Sequence, residues 1–350
     1  MKEIRNVIEL YDSLRDSGTP CALATVVSIE GSSYRRIGAR LIVGADGRYT
    51  GGISGGCLEG DALRRAQKAI HRGSPSRQVY DTLDGEDREI GIGLGCNGRI
   101  EVHFVPLDFT DPHNQVEVLR SVVHTREPRL LSQLVAVPDG EALTGELMEV
   151  PRYRVDLPLD RSTVMVERDA RGRTWHRLYE LIRPELHLII VGDNYDIPPM
   201  ATAARQLGWR CSVVGLRRKF SKAMAQAADR LYDYAEASEL RVDRYTAVAC
   251  MSHDLERDKE MVRLFLPQNP PYLGLLGPNK RAKRMDDELR AECGIQLLDF
   301  PNLYTPIGLD IGAETPEEIG ACVVAEIISV FRERPGKSLK EKSGTIHLRN

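Results

Sequence analysis

The chain reads as an α/β protein of two domains, an α+β domain followed by a doubly wound parallel sheet. Three observations predict this. At 350 residues the chain exceeds one typical domain. Up to Val105, helix-period and strand-like segments are broken by hairpin turn signals. From His187 onward, short continuous apolar runs alternate with helical segments, the pattern of a parallel sheet buried on both faces.

In chain order, Ile4, Val7, Ile8, Tyr11 and Leu14 form one stripe of an amphipathic N-terminal helix. Residues 22–27 read as a buried strand. Residues 40–43 read as another, and the turn Ala45-Asp46-Gly47 leads to a hairpin partner at 48–50. A helix follows over 58–71, with strands near 77–80 and 99–105. Residues 107–184 read as a β-rich extension of this domain. It opens with a polar helix at 114–125 and a strand at 130–137, which runs into the turn Pro138-Asp139-Gly140. Residues 163–166 then pair with 175–179 across a turn at 169–172.

In the second half, strand-like runs lie at 188–192, 211–214, 246–250, 272–276 and 295–298, with helices at 198–207, 255–265 and 280–291. The last helix, 315–331, starts with Thr315 as N-cap, Pro316 in the first turn, and Glu317 and Glu318 at the positive end of the dipole. The reading is therefore a domain at 1–184, a second at 185–331, and a mobile basic tail at 332–350.

The formal charge is −3 and the apolar fraction is ordinary for a globular chain, which points to neither nucleic acid nor membrane as a partner. No apolar stretch is long enough to span a bilayer, and no basic-then-apolar leader is present, so a cytoplasmic protein is expected. The seven cysteines are scattered without a CxxC pair, which argues for reduced thiols over a disulfide framework or zinc site. The eight histidines form no metal-binding grouping, so no metal site is expected.

The candidate chemistry lies in two glycine-rich turns, each holding one cysteine. The first, Gly51-Gly52-Ile53-Ser54-Gly55-Gly56-Cys57-Leu58-Glu59, ends at a helix start; the second is Gly91-Ile92-Gly93-Leu94-Gly95-Cys96-Asn97-Gly98. Such turns expose backbone N–H groups, and a helix N-terminus favours an anion or a thiolate. A tight turn around a small buried cysteine would have the same sequence. Arg35, Arg36 and Arg40 lie upstream, suited to a phosphate or to a solvated loop. Ser54, Gly55, Gly56, Cys57, Glu59, Gly95 and Cys96 complete the candidate cofactor-binding set, with Cys57 and Cys96 expected to face one pocket.

In the second domain, Gly192-Asp193-Asn194-Tyr195-Asp196 stands where a dinucleotide fingerprint belongs. Gly192 is kept, but Asp193 and Asp196 repel phosphate, so NAD(P) binding in the usual mode is disfavoured. Met251-Ser252-His253-Asp254 ends a strand where open α/β sheets bind ligands. His253 is a candidate for proton transfer, with Asp254 either orienting it or capping the next helix. Lys280, Arg281, Lys283 and Arg284 form either an anion-steering patch or an exposed helix face.

Taken together the chain resembles the XdhC/CoxI family of xanthine dehydrogenase accessory proteins. The resemblance rests on the run from Gly31 to Arg40, on Ser54-Gly55-Gly56-Cys57-Leu58-Glu59, Gly93-Leu94-Gly95-Cys96 and Ser252-His253-Asp254, on the run from Tyr272 to Gly277, and on the run from Pro306 to Ala313 with Thr315-Pro316-Glu317-Glu318-Ile319 behind it. It implies an N-terminal XdhC domain and a C-terminal Rossmann domain. It also implies a homodimeric molybdenum cofactor chaperone that assists sulfuration of the cofactor and its insertion into an apo molybdenum hydroxylase, with a cysteine desulfurase as a further partner. On this reading the protein turns over no substrate of its own. Two other readings stand beside it: an NAD(P)-dependent oxidoreductase, and a sulfur-transfer enzyme carrying a persulfide on Cys57.

Overall fold

The computed structural model describes residues 1–31, 33–81, 98–138, 141–151 and 162–343. Two compact units emerge, one spanning Met1–Pro184 and one starting at Glu185.

The first unit opens with helix α1 (Lys2–Asp16), which buries the predicted stripe Ile4, Val7, Ile8, Tyr11 and Leu14. Strands β1 (Cys21–Gly31), β2 (Arg40–Gly44) and β3 (Tyr49–Gly51) follow, then helix α2 (Glu59–Arg72) and strands β4 (Ser76–Asp81) and β5 (Gly98–Leu107). They form an antiparallel sheet in the order β3-β2-β1-β5-β4. Because side chains alternate along a strand, β1 serves two cores. Leu23 meets the α1 stripe, while Ala22, Ala24 and Val26 meet Ala62, Ala66 and Ala69 of α2. Burial on both faces is why residues 22–27 are continuously apolar rather than alternating.

Helix α3 (Gln115–Val123) and strands β6 (Arg129–Ala136), β7 (Leu147–Val150), β8 (Thr163–Arg168) and β9 (Thr174–Ile182) complete this unit. The strands form a second antiparallel sheet, β7-β6-β9-β8. The helix is less polar in function than its sequence suggests: Val116, Leu119, Val122 and Val123 join the same core as the α1 stripe. Asn114 begins it, accepting from the N–H groups of Val116 and Glu117 while its amide donates to the Tyr11 hydroxyl and to the carbonyls of Asp108 and Asp111. Asn114→Ala is expected to cost about 2 kcal/mol in urea unfolding, combining a lost cap with a stranded Tyr11 hydroxyl. A change under about 0.5 kcal/mol would show that water replaces the asparagine.

The second unit contains β10 (His187–Val191), α4 (Ile197–Gln206), β11 (Arg210–Gly215), α5 (Lys222–Ala227), β12 (Arg230–Asp233), β13 (Thr246–Cys250), α6 (Leu255–Phe265), β14 (Tyr272–Leu275), α7 (Asn279–Cys293), β15 (Leu303–Tyr304) and α8 (Pro316–Phe331). Its six strands are parallel in the order β12-β11-β10-β13-β14-β15. Helices α4 and α8 cover one face through Met200, Ala204, Val323 and Ile327. Helices α6 and α7 cover the other through Val262, Phe265, Met285 and Leu289. The order of strands reverses between β10 and β13, the switch point where this architecture leaves a crevice.

One predicted strand is corrected. Residues 295–298 are not a strand: a 3₁₀ turn occupies Leu297–Asp299, with Leu297 buried in the α7 core. The apolar run signals packing beneath a helix, which periodicity over four residues does not separate from a strand. The edge strand is instead the two-residue β15, and the polar β12 carries no apolar run at all. The capping box at Thr315 and Glu318 is present as expected. Among the described residues no helix is long and apolar enough to cross a membrane.

Candidate functional site

In the first unit the chain leaves β3 at Gly51, whose φ is +92°. A Cβ there would collide with the Arg40 carbonyl oxygen, so the cysteine loop departs through a glycine that no other residue replaces without moving backbone. Glu59, in the first turn of α2, reaches back into the loop. Its Oε1 accepts from the N–H groups of Ile53 at 3.1 Å and Ser54 at 2.8 Å, and its Oε2 accepts from the Ser54 hydroxyl. Ser54 Oγ in turn accepts from the N–H groups of Gly56 and Leu58, both at 3.1 Å, and lies 3.6 Å from Cys57 Sγ.

The expectation of an open amide cradle needs correction at these positions. The N–H groups of Ile53, Ser54, Gly56 and Leu58 are already bonded within the loop, because amides near the core find internal partners and a carboxylate is favoured at a helix N-terminus. Burial pushes the Glu59 carboxyl up. Hydrogen bonds from the Ser54 hydroxyl and the backbone of Ser54, Glu59 and Ile53 outweigh that effect and leave it below the usual glutamate value. Cys57 itself is half-buried and packs against the core shared by β1 and α2, with the exposed Gly55 and Gly56 before it in the loop.

The arginine segment meets this loop through Tyr34: a Cβ on Gly55 would stand 3.4 Å from Tyr34 Cγ. The three arginines have different fates. Arg36 is exposed. Arg35 is paired with Glu3 while its Nε is buried without a partner. Arg40 is 3% exposed and binds Glu180 of β9 through two contacts, Nη1 to Oε1 at 2.9 Å and Nη2 to Oε2 at 2.5 Å, with Nη1 also donating to the Gly38 carbonyl. Its guanidinium is committed to a buried carboxylate, which corrects its assignment as a phosphate ligand. The second cysteine loop, with Gly95 and Cys96, lies outside the described residues, as does the expected convergence of Cys57 with Cys96.

In the second unit the loops after β10 and β13 meet at the switch point. Gly192 has a φ of +151°, and a Cβ there would lie 2.7 Å from the Met251 carbonyl oxygen. Asp193 accepts from the Leu216 N–H at 2.9 Å and from Lys219 Nζ at 2.8 Å. The Asn194 amide donates to the Ser252 carbonyl. Asp196 Oδ2 lies 2.7 Å from His253 Nε2. Asp254 caps α6, accepting from the N–H groups of Glu256 and Arg257. His253 is therefore oriented by Asp196 and not by Asp254, a partner 57 positions earlier in the chain. The signal for it was topological: loops from the two strands flanking a switch point converge.

Arg281 ion-pairs with Asp258 at 2.5 Å and is not part of a free anion-steering face. Burial pushes the Asp258 carboxyl up, against the hydrogen bond from Ser252 and the charge of Arg281. Among the described residues no group of three or more His, Cys, Asp or Glu side chains is arranged to hold a metal ion.

Residues 188–327 match the model of the XdhC Rossmann domain, and residues 14–81 match that of the XdhC and CoxI family. The chain is 28% identical to a probable xanthine dehydrogenase subunit of Bacillus subtilis, covering 92% of this chain and 97% of that one. It is 26% identical to the molybdenum cofactor insertion chaperone PaoD of Escherichia coli, covering 90% and 84%. A crystal structure described as a xanthine dehydrogenase from Bacillus halodurans superposes with a TM-score of 0.73 at 26% identity, covering 96% of this chain and 98% of that one.

Proposed function

We propose, for a chain that belongs to the XdhC and CoxI family, that it is a chaperone of the molybdenum cofactor, holding the cofactor as cargo and delivering it to a xanthine dehydrogenase-type hydroxylase. The resemblance to a named insertion chaperone over most of both chains supports this role. The observation that carries it is the Cys57 thiol, half-buried at the start of α2 and held in a loop fixed by Ser54 and Glu59. A thiol is a soft donor suited to a molybdenum–sulfur centre.

On this reading Cys57 meets the metal end of the cargo. Arg36, exposed on the segment that packs over Gly55, meets its phosphate. Ser54 and Glu59 position the thiol rather than touch the cargo. Protection of the cofactor during sulfuration, docking of a cysteine desulfurase and of the apo-hydroxylase, assembly as a homodimer and a cytoplasmic location all belong to the same proposal.

The test is to purify the protein from cells that make the cofactor and to assay molybdenum and oxidised pterin together. Molybdenum and pterin in equal amounts are expected, with transfer to a cofactor-free hydroxylase restoring its activity. Protein free of both, from cells whose hydroxylases are fully loaded, would overturn the role.

A further inference from the structure

We propose that the Asp196–His253 pair, with Tyr195, forms a ligand site in the second unit for a planar nitrogen heterocycle of the fused pyrimidine type, a pterin or a purine. The pair sits at the carboxyl ends of β10 and β13, on the two loops that flank the switch point. Three observations separate it from a latch between loops.

The first is backbone conformation. His253 has a φ of +61°, in the left-handed region that histidine enters more readily than most non-glycine residues, and it takes that conformation just after β13. Its side chain is 54% exposed, and the ring thus faces outward from the carboxylate that holds it. The second is Asp196, which is 6% exposed and whose Oδ1 is buried with no hydrogen-bond partner. It stands at the start of α4 but does not cap it, because Pro198 and Pro199 in the first turn have no N–H to offer. A carboxylate kept half-paired inside the crevice serves its one partner, His253. The third is Tyr195, 80% exposed between two anchored neighbours: Asn194 is tied to the Ser252 carbonyl and Asp196 to His253. The backbone beneath the ring is fixed while the ring is presented to solvent, which makes it a stacking platform.

The same groups decide the ligand class. The two prolines remove N–H donors that would hold a pyrophosphate, and Asp193 and Asp196 add negative charge beside it, so a dinucleotide is excluded in its usual pose. His253 Nε2 and Asp196 Oδ2 share one hydrogen bond, which leaves Nδ1 as the imidazole's other polar atom. An exposed imidazole and an exposed aromatic ring, carried on the two loops that flank the switch point, match a flat heterocycle with a polar edge, stacked on Tyr195 and bonded to His253.

The experiment titrates the full chain with pterin, read by the fluorescence anisotropy of pterin itself, followed by displacement with guanosine, adenosine and NADH. The His253 and Tyr195 variants leave Cys57 and its loop in place, so a loss of binding in them stands apart from the cargo role of Cys57. Saturable pterin binding is expected. His253→Ala should weaken it at least tenfold, Tyr195→Ala about fivefold or more, and Tyr195→Phe should bind as the parent does. The melting temperature should not move in the Tyr195 variants, since so exposed a ring supports no core. Guanosine or adenosine displacing pterin at lower concentration than pterin itself requires would support the site and assign it to a purine. No saturable binding of pterin or of either nucleoside would overturn the proposal. So would unchanged affinity in both His253→Ala and Tyr195→Ala, or NADH binding more tightly than all three.

Discussion

Arg40→Ala is expected to lower the melting temperature by about 10 °C, the product of a loss of about 3–5 kcal/mol and a sensitivity of about 2–4 °C per kcal/mol for a unit of this size. Glu180→Ala should do nearly the same. Arg40 is 3% and Glu180 6% exposed, and each is the other's charge partner through two contacts. Removing either strands an uncompensated charge between β2 and β9, and that stranded charge is the origin of the penalty. The intact pair is not itself worth so much. Arg40→Met combined with Glu180→Leu removes both charges and should regain most of the loss, which separates stranding from simple truncation. Scanning calorimetry reads all three variants. A single variant melting within about 2 °C of the parent would show that water reaches the pair.

The pair also bears on the site. Gly38, at a φ of +86°, packs directly against the Glu180 carboxylate, and its carbonyl accepts from Arg40. Anchored there, the segment carrying Tyr34, Arg35 and Arg36 lies over the cysteine loop. A variant that folds without the pair should therefore lose cargo binding even with Cys57, Arg35 and Arg36 intact.

These relations mark where the sequence stops being readable. The α1 stripe, the doubly buried β1 and the alternation from β10 to β14 follow from local periodicity, and all three are visible in the chain itself. The cysteine loop is visible too, because glycine density has few other causes. Its internal wiring is not: a sequence displays amides but not their occupants, and Glu59 and Ser54 fill the positions an anion was expected to take. Arg40 reads as a phosphate ligand because its partner lies 140 residues away, in a segment with no motif of its own. His253 carries a recognisable neighbour, Asp254, which spends its carboxylate on the α6 cap. The residue that orients it comes from the other side of the switch point.

Glu59→Ala should cut the molybdenum retained by the purified protein at least tenfold, as severely as Cys57→Ala, although the thiol is still present. The two variants reach that outcome by different routes. Cys57→Ala removes one weak contact to Ser54 Oγ and a little packing at the edge of the α2 core, so its melting temperature should fall less than that of Glu59→Ala. Glu59→Ala leaves the N–H groups of Ile53 and Ser54 and the Ser54 hydroxyl without their acceptor, at a cost of about 2 kcal/mol. Glu59→Gln keeps an acceptor for the amides and should retain an intermediate share of cargo. Proton linkage distinguishes them further. The folded Glu59 carboxyl lies below its ordinary value of 4.5, so its contribution to stability is complete above that pH and is lost as pH falls through the folded value. The stability gap between parent and Glu59→Ala should thus be constant near neutrality and close in acid, whereas that between parent and Cys57→Ala should show no such acid limb. If Glu59→Ala retained its molybdenum while losing the predicted stability, the loop would need its thiol but not its shape, and the positioning role of Glu59 would fall with the result.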